Sequence, residues 1–183
     1  MRIISGSARG RKLKEPQGMD TRPTTDQVKE SLCNIIQFEL EGRRVLDLFA
    51  GTGQLGIEAL SRGSAHCVFV DQRREAAALV RENLKLCGFS ELSQVVQGDA
   101  LSFLASCREK FDVVFLDPPY ASGLLEKSVE ALARFDILRE HGIIVCESGP
   151  DWVLSPLTPP YEAGREYRYG QVKLTVCRRA GSV

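Results

Sequence analysis

The residues able to do chemistry fall at five places along the chain. Gly51-Thr52-Gly53-Gln54-Leu55-Gly56 directly follows the apolar run 45–49 and opens a segment with helical periodicity. A glycine loop in that setting lets a ligand approach the backbone and lets the next helix lie close to its strand. Asp71 comes 20 residues after Gly51, at the end of the next apolar run, where a carboxylate can hold the hydroxyls of a ribose. The glycine pattern alone says little. Combined with Asp71 and the strand-loop-helix setting, it points to a ligand built on a nucleoside. Asp47 stands four residues ahead of Gly51, Asp99 closes a third apolar run, and Asp117-Pro118-Pro119-Tyr120 closes a fourth.

Asp47 separates the candidate ligands. A carboxylate beside the loop repels the pyrophosphate of a dinucleotide. It attracts S-adenosyl-L-methionine, which has no phosphate and carries an ammonium and a sulfonium. Asp99 can accept a hydrogen bond from an adenine amino group. On this reading Asp47, Phe49, Gly51, Gly53, Asp71, Asp99 and Ala100 bind S-adenosyl-L-methionine. NAD stays in play on the literal G-x-G-x-x-G, and each aspartate at a strand end could serve only as a helix N-cap.

The Asp-Pro-Pro-Tyr corner suggests the acceptor of the reaction. Such a tetrapeptide arises by chance in a chain of this length about once in a thousand sequences. Its two prolines remove two amide donors and hold the backbone extended, so Asp117 and the Pro118 carbonyl act purely as acceptors. An exocyclic amino group of a nucleobase offers two hydrogens to such a pair. Its nitrogen is a poor nucleophile because the lone pair is delocalised into the ring. Acceptors placed off the ring plane favour a pyramidal nitrogen whose lone pair can attack a methyl group in line. Asp117, or water, could take the released proton, and Tyr120 can stack on the base. The competing reading is a rigid strand-to-loop turn with a packed tyrosine.

These clusters require a scaffold that gathers strand ends. The chain of 183 residues fits one domain, and 43% hydrophobic with 26% charged residues is the mix of a globular protein with a sizeable core. A net charge of zero excludes a general polycation, so any nucleic-acid contact must come from a local patch. Residues 1–25 supply one, with six basic side chains against two acidic ones, and are predicted to form a basic hairpin or arm. A single catalytic domain is predicted over 26–183. Thr24 and Gln27 have capping-box spacing ahead of an amphipathic helix over 26–40. Strands at 45–49, 67–70, 94–97, 112–116 and 143–147 then alternate with helices at 54–62, 74–87, 100–107 and 124–133. Segments 166–169 and 171–177 look like an antiparallel edge hairpin. The pattern predicts a Rossmann-like α/β fold, a mostly parallel seven-stranded sheet with helices on both faces. The six cysteines are never closer than 20 residues and form no cluster with histidine, which suggests reduced thiols and no metal site. No apolar run approaches the ~18 residues of a membrane helix, and a cytoplasmic protein without membrane contact is expected.

The motifs also carry a family resemblance. DLFAGTG (47–53) with DPPY (117–120) resembles the class I S-adenosylmethionine-dependent methyltransferases that act on amino nitrogens. With RIISGSARGRKL (2–13), TRPTTDQVKESL (21–32) and GIEALSRG (56–63), the chain closely resembles the RsmD family of bacterial 16S rRNA guanine-N2 methyltransferases. The resemblance implies methyl transfer to N2 of one guanine, as in the enzymes that modify guanine 966. It implies 16S rRNA in the small ribosomal subunit or a late assembly intermediate as the substrate, and a monomer is expected. By position, Asp47, Gly51 and Gly53 would hold the methionine end, Asp71 the ribose and Asp99 the adenine. Asp117, Pro118, Pro119 and Tyr120 would line the target amine, and Arg22 to Asp26 would close over the pocket and the RNA. Arg9, Arg11 and Lys12, with Arg22 and Thr24, are the RNA-binding candidates, joined by Lys14 in a patch suited to phosphates. A guanine embedded in RNA must be extruded to reach Asp117. Gln54 stands where a small residue is expected and Cys33 where an aromatic is expected. Among the alternatives, adenine-N6 enzymes share DPPY but need a sequence-reading region for which the chain has little room. An NAD-dependent oxidoreductase is opposed by Asp47, and a non-catalytic ribosome-assembly protein by the intact acids.

Overall fold

Apolar runs bounded by glycines and acids form the middle of a single sheet. A computed structural model describes residues 1–16 and 26–181. In chain order its elements are α1 (Asp26–Ile35), β1 (Arg44–Asp47), α2 (Gln54–Ser61), β2 (His66–Asp71), α3 (Arg74–Cys87) and β3 (Ser93–Gln97). There follow α4 (Ala100–Ser106), β4 (Phe111–Leu116), α5 (Leu124–Arg134), β5 (Leu138–Ser148), β6 (Tyr161–Tyr169) and β7 (Val172–Arg179). The seven strands lie in the order β3-β2-β1-β4-β5-β7-β6. The first five are parallel, and β7 runs antiparallel to both β5 and β6. The α/β architecture read from the sequence is the one observed.

Period-two alternation splits the strand residues between two cores. Val45, Phe69, Val113, Phe115 and Val145 face one side, under α1, α2 and α3. Leu46, Val68, Val114, Leu116 and Ile144 face the other, under α4 and α5. β7 inserts beside β5, which leaves β6 on the outside. Its exposed Glu162, Arg165, Glu166 and Arg168 put charges on that edge and discourage further strand pairing.

Residues 1–13 fold back on themselves, with Arg2 bridged to Lys12 and the Gly10 amide donating to the Ile3 carbonyl at 2.8 Å. Ile3, Ala8 and Leu13 are buried in the core beside α1 and α2. Glu58 of α2, fully buried, accepts from the amides of Ile4 and Ser5 at 2.8 and 2.9 Å and pairs with Arg62 at 3.0 Å. The hairpin is therefore sewn to the body of the molecule by an acid on α2. Two elements differ from expectation. The helix predicted over 26–40 ends at Ile35, and a 3-10 turn at Gln37–Glu39 keeps Ile36 and Leu40 buried while Phe38 is 89% exposed. β5 begins five residues early because a register shift opposite Phe111 and Val113 admits the exposed Arg139, Glu140 and His141.

Candidate active site

The parallel strands end on one edge, and that edge carries the acids. Strand order runs outward from β1 and β4 in opposite directions, so these two flank the point of reversal where open α/β sheets hold their ligands. Asp47 ends β1, Asp71 ends β2, Asp117 follows β4 and Asp99 follows β3. Leu116, the last residue of β4, pairs with Cys146 of β5; Asp117 and Glu147 follow them in the chain.

The glycine loop is built as the spacing demands. Gly53 has φ 80°, in the left-handed region, as the chain turns from strand to helix. A Cβ on Gly56 would stand 2.3 Å from the Phe69 ring and 2.7 Å from Cys67 Sγ, so α2 approaches β2 as only glycine allows. Asp47, 2% exposed, accepts from the Gly56 amide at 3.0 Å. Asp71 accepts from the Gly51 amide and the Arg73 amide, both at 2.9 Å. A phosphate seeks such amides at a helix N-terminus; here two of the chain's own carboxylates hold them. Burial pushes the Asp47 pKa up to about 7, against the Gly56 hydrogen bond that lowers it and with a further push from Asp71. A cation beside that group restores its charge. The loop fits a positively charged ligand better than a phosphate.

The remaining acids have local duties as well. Asp71 is not the cap of α3, since Arg73 occupies that position without a side-chain bond. Asp99 is a true N-cap. It accepts from the Ser102 amide at 2.8 Å, and this bond holds its carboxyl below the usual range. Ala100, the first residue of α4, is buried next to it, and Phe49 packs half-buried on the same core.

At the proline corner, Pro118 is buried, Asp117 half-buried, and Pro119 and Tyr120 are exposed. The Pro119 carbonyl accepts from the Ser122 amide at 3.1 Å and hydroxyl at 2.6 Å, closing a 3-10 turn over Tyr120–Ser122. The Tyr120 hydroxyl donates to Glu147 Oε1 at 3.1 Å. Beside it opens a cleft of about 120 Å³ lined by Pro118, Tyr120, Leu125, Glu147, Ser148 and Trp152. Acidic strand ends, glycine loop and proline corner thus share one sheet edge.

Known proteins resemble this chain over nearly its full length. A family model described as "Conserved hypothetical protein 95" matches residues 1–178. Ribosomal RNA small subunit methyltransferase D of Escherichia coli is 36% identical over 179 residues, covering 98% of this chain and 90% of that protein. The chain belongs to the RsmD family. YlbH of Bacillus subtilis is 41% identical over 184 residues, covering 99% of this chain and all of that one. The solved structure of YhhF from Escherichia coli, 34% identical, superimposes with a TM-score of 0.89 over 98% of each chain. The fold of this RsmD-family chain is that of the class I methyltransferases.

Within this RsmD-family chain, Arg9, Arg11 and Lys12 are all exposed on the N-terminal hairpin. Arg11 donates to the Leu86 carbonyl at 2.8 Å and Lys14 pairs with Glu82 at 2.7 Å, so both lie along α3. Arg22 and Thr24 fall outside the described residues. Three residues of the site escaped the sequence reading. Asn83, buried in α3, accepts from the Lys14 amide at 2.8 Å and donates to the carbonyls of Lys14 and Thr52 at 3.1 and 2.9 Å. It thereby ties the hairpin to the glycine loop, and only an amide amid the apolar positions of α3 hinted at it. Glu147 carried the same signal as the four aspartates, an acid at the end of a parallel strand. Lys173, buried within β7, left no signal. Among the described residues, no group of three or more His, Cys, Asp or Glu is placed to hold a metal ion. Nor is any described helix long and apolar enough to cross a membrane.

Proposed function

We propose that this chain transfers a methyl group from S-adenosyl-L-methionine to the exocyclic N2 of one guanine of 16S rRNA, in the small ribosomal subunit or a late assembly intermediate. The observation that carries the reading is the pairing, on one sheet edge, of a glycine loop whose amides are held by Asp47 and Asp71 with the Asp117–Tyr120 corner. The first disfavours a phosphate and welcomes a cation; the second offers acceptors to an amine. The name of the Escherichia coli relative, a small-subunit rRNA methyltransferase, supports the substrate class, and guanine 966 is the position we assign.

Asp47, Gly51 and Gly53 would hold the methionine end, Asp71 the ribose, and Asp99 with Ala100 and Phe49 the adenine. When bound, S-adenosylmethionine supplies a methyl group whose bond to sulfur breaks as the guanine N2 lone pair forms the new C–N bond, leaving S-adenosylhomocysteine. Asp117 and the Pro118 carbonyl accept the two amine hydrogens and hold the lone pair out of the ring. The Pro119 carbonyl is engaged by Ser122, which stiffens the corner. After transfer Asp117 takes the extra proton from the nitrogen, or passes it to water. The exposed Tyr120 ring stacks on the extruded base. Arg9, Arg11 and Lys12, with Arg22 and Thr24, contact RNA phosphates and orient the complex.

Small subunits from cells lacking the enzyme test this directly. Incubated with the protein and methyl-labelled S-adenosylmethionine, then digested to nucleosides, they are expected to yield labelled N2-methylguanosine. Labelled N6-methyladenosine, or no label on intact subunits, would refute the assignment.

A further inference from the structure

The cleft beside the proline corner has one wall that the chemistry above leaves without a task. Pro118, Tyr120 and Leu125 line it together with Trp152, and Glu126 and Glu147 add two acids. Apolar walls suit a flat ring system, and the acids disfavour a phosphate. At about 120 Å³ the cleft lies below the ~300 Å³ at which pockets for small molecules begin, so it takes a base and not a whole nucleotide. Trp152 is fixed in its wall. Its amide donates to the Gly149 carbonyl at 3.3 Å. Its carbonyl accepts from Lys173 Nζ, which also meets Glu166 at 3.3 Å and stands over the indole, 5.9 Å from the ring centre. Three residues on, the Ser155 hydroxyl donates to Glu126 of α5. Lys173 is 2% exposed, and a lysine buried so deeply is rare and carries a desolvation cost. Among the described residues that wall the cleft Lys173 takes no part, so the cation supports the ring from outside it.

We propose that Trp152 binds the substrate base: its indole stacks on the extruded guanine in this cleft, as a second aromatic surface besides Tyr120. This rests on the methyl-transfer reading above and adds to it the residue that keeps the base in place. A base taken out of RNA loses the stacking of its neighbours, and an aromatic side chain restores part of it. The two-ring indole is the larger of the two surfaces, and its position is set before any ligand arrives, so little ordering is left to be done on binding. Stacking tolerates any base. Trp152 therefore retains the guanine without choosing it, and the Asp117–Tyr120 corner is left to meet the amine.

The test gives small subunits from cells lacking the enzyme to the native protein, to Trp152→Leu and to Trp152→Phe. Leucine is apolar but cannot stack, and its variant is expected to lose about 5- to 150-fold in kcat/KM, the range for removing a base–aromatic stack. Phenylalanine keeps an aromatic face and should recover most of that loss. Equal S-adenosylhomocysteine affinity in all three shows that the fold is intact. A folded Trp152→Leu with native kcat/KM, or a Trp152→Phe that falls as far as Trp152→Leu, would overturn the proposal. A second measurement needs no variant, because Trp152 is the only tryptophan of the chain. With 5-hydroxytryptophan incorporated there, the protein can be excited apart from the tryptophans of ribosomal proteins. Binding of unmodified subunits in the presence of S-adenosylhomocysteine is expected to quench its emission, and emission that does not change as the subunits bind overturns the proposal even if the variants fail to fold. A native protein that leaves the guanine of these subunits unmethylated would instead defeat the broader reading, and the role of Trp152 with it.

Discussion

Asp47→Asn is expected to stabilise the fold while weakening cofactor binding. The carboxyl is 2% exposed, and its pKa lies at about 7 in the folded chain against 3.8 unfolded, chiefly through burial. A group raised in this way contributes fully to stability below pH ~4, and the contribution is lost as pH climbs towards 7. At about 1.4 kcal/mol per tenfold change, the gap corresponds to about 4 kcal/mol lost above pH 7 and about 2 kcal/mol at pH 5. Asparagine has no charge to bury and keeps an oxygen for the Gly56 amide. Urea unfolding should therefore find the variant more stable by about 4 kcal/mol at pH 8 and about 2 kcal/mol at pH 5. Calorimetry on the same pair should show the native protein binding S-adenosylhomocysteine more tightly as pH rises to 7, because the ligand ammonium favours the ionised acid. The variant should bind more weakly and without that dependence. A stability difference that does not change with pH, or a variant less stable at pH 8, would refute the electrostatic reasoning. Such an opposition between stability and binding is common where a site holds a buried charge.

Asp117→Ala should cut methyl transfer by at least about 10²–10³-fold and leave S-adenosylhomocysteine affinity nearly unchanged; unchanged turnover on small subunits would remove Asp117 from the chemistry. Reversing Arg9 and Lys12 together to glutamate should weaken capture of the subunit and flatten its dependence on log salt by roughly 1.4–1.8, at about 0.7–0.9 per phosphate contact. An unaltered slope would take the hairpin out of the RNA interface. Gly56→Ala should lower stability by about 1–3 kcal/mol, because its methyl would meet the Phe69 ring at 2.3 Å. Unfolding curves that coincide with those of the native chain would disprove the close approach of α2 to β2.

Much of this molecule is written in its residue order. Glycines, acids and apolar runs fixed the five parallel strands, and the 20-residue spacing from Gly51 to Asp71 turns out to be a direct hydrogen bond. Asp99 reads either as an adenine acceptor or as a helix N-cap, and its carboxylate does cap α4. What escaped reading depends on partners far away in the chain. Glu147 closes a strand like any other until Tyr120 arrives 27 residues away to donate to it. Lys173 looks like a solvated strand lysine, yet it is 2% exposed and anchors Trp152. β6 shows no alternation because its charged residues lie on an open edge, and β5 gained its polar start from a bulge that no periodicity announces. The basic segment reads as a hairpin or arm, but its packing on the core is not legible, because Ile3, Ala8 and Leu13 are too widely spaced to mark a buried face.

The most direct measurement is a structure of the protein crystallised with S-adenosylhomocysteine. The account requires the ligand ammonium at the Asp47 end of the glycine loop, its ribose on Asp71, and its sulfur turned towards the Asp117–Tyr120 corner and the cleft with Glu147. A ligand seated elsewhere, or bound with its sulfur pointing away from that corner, would contradict it.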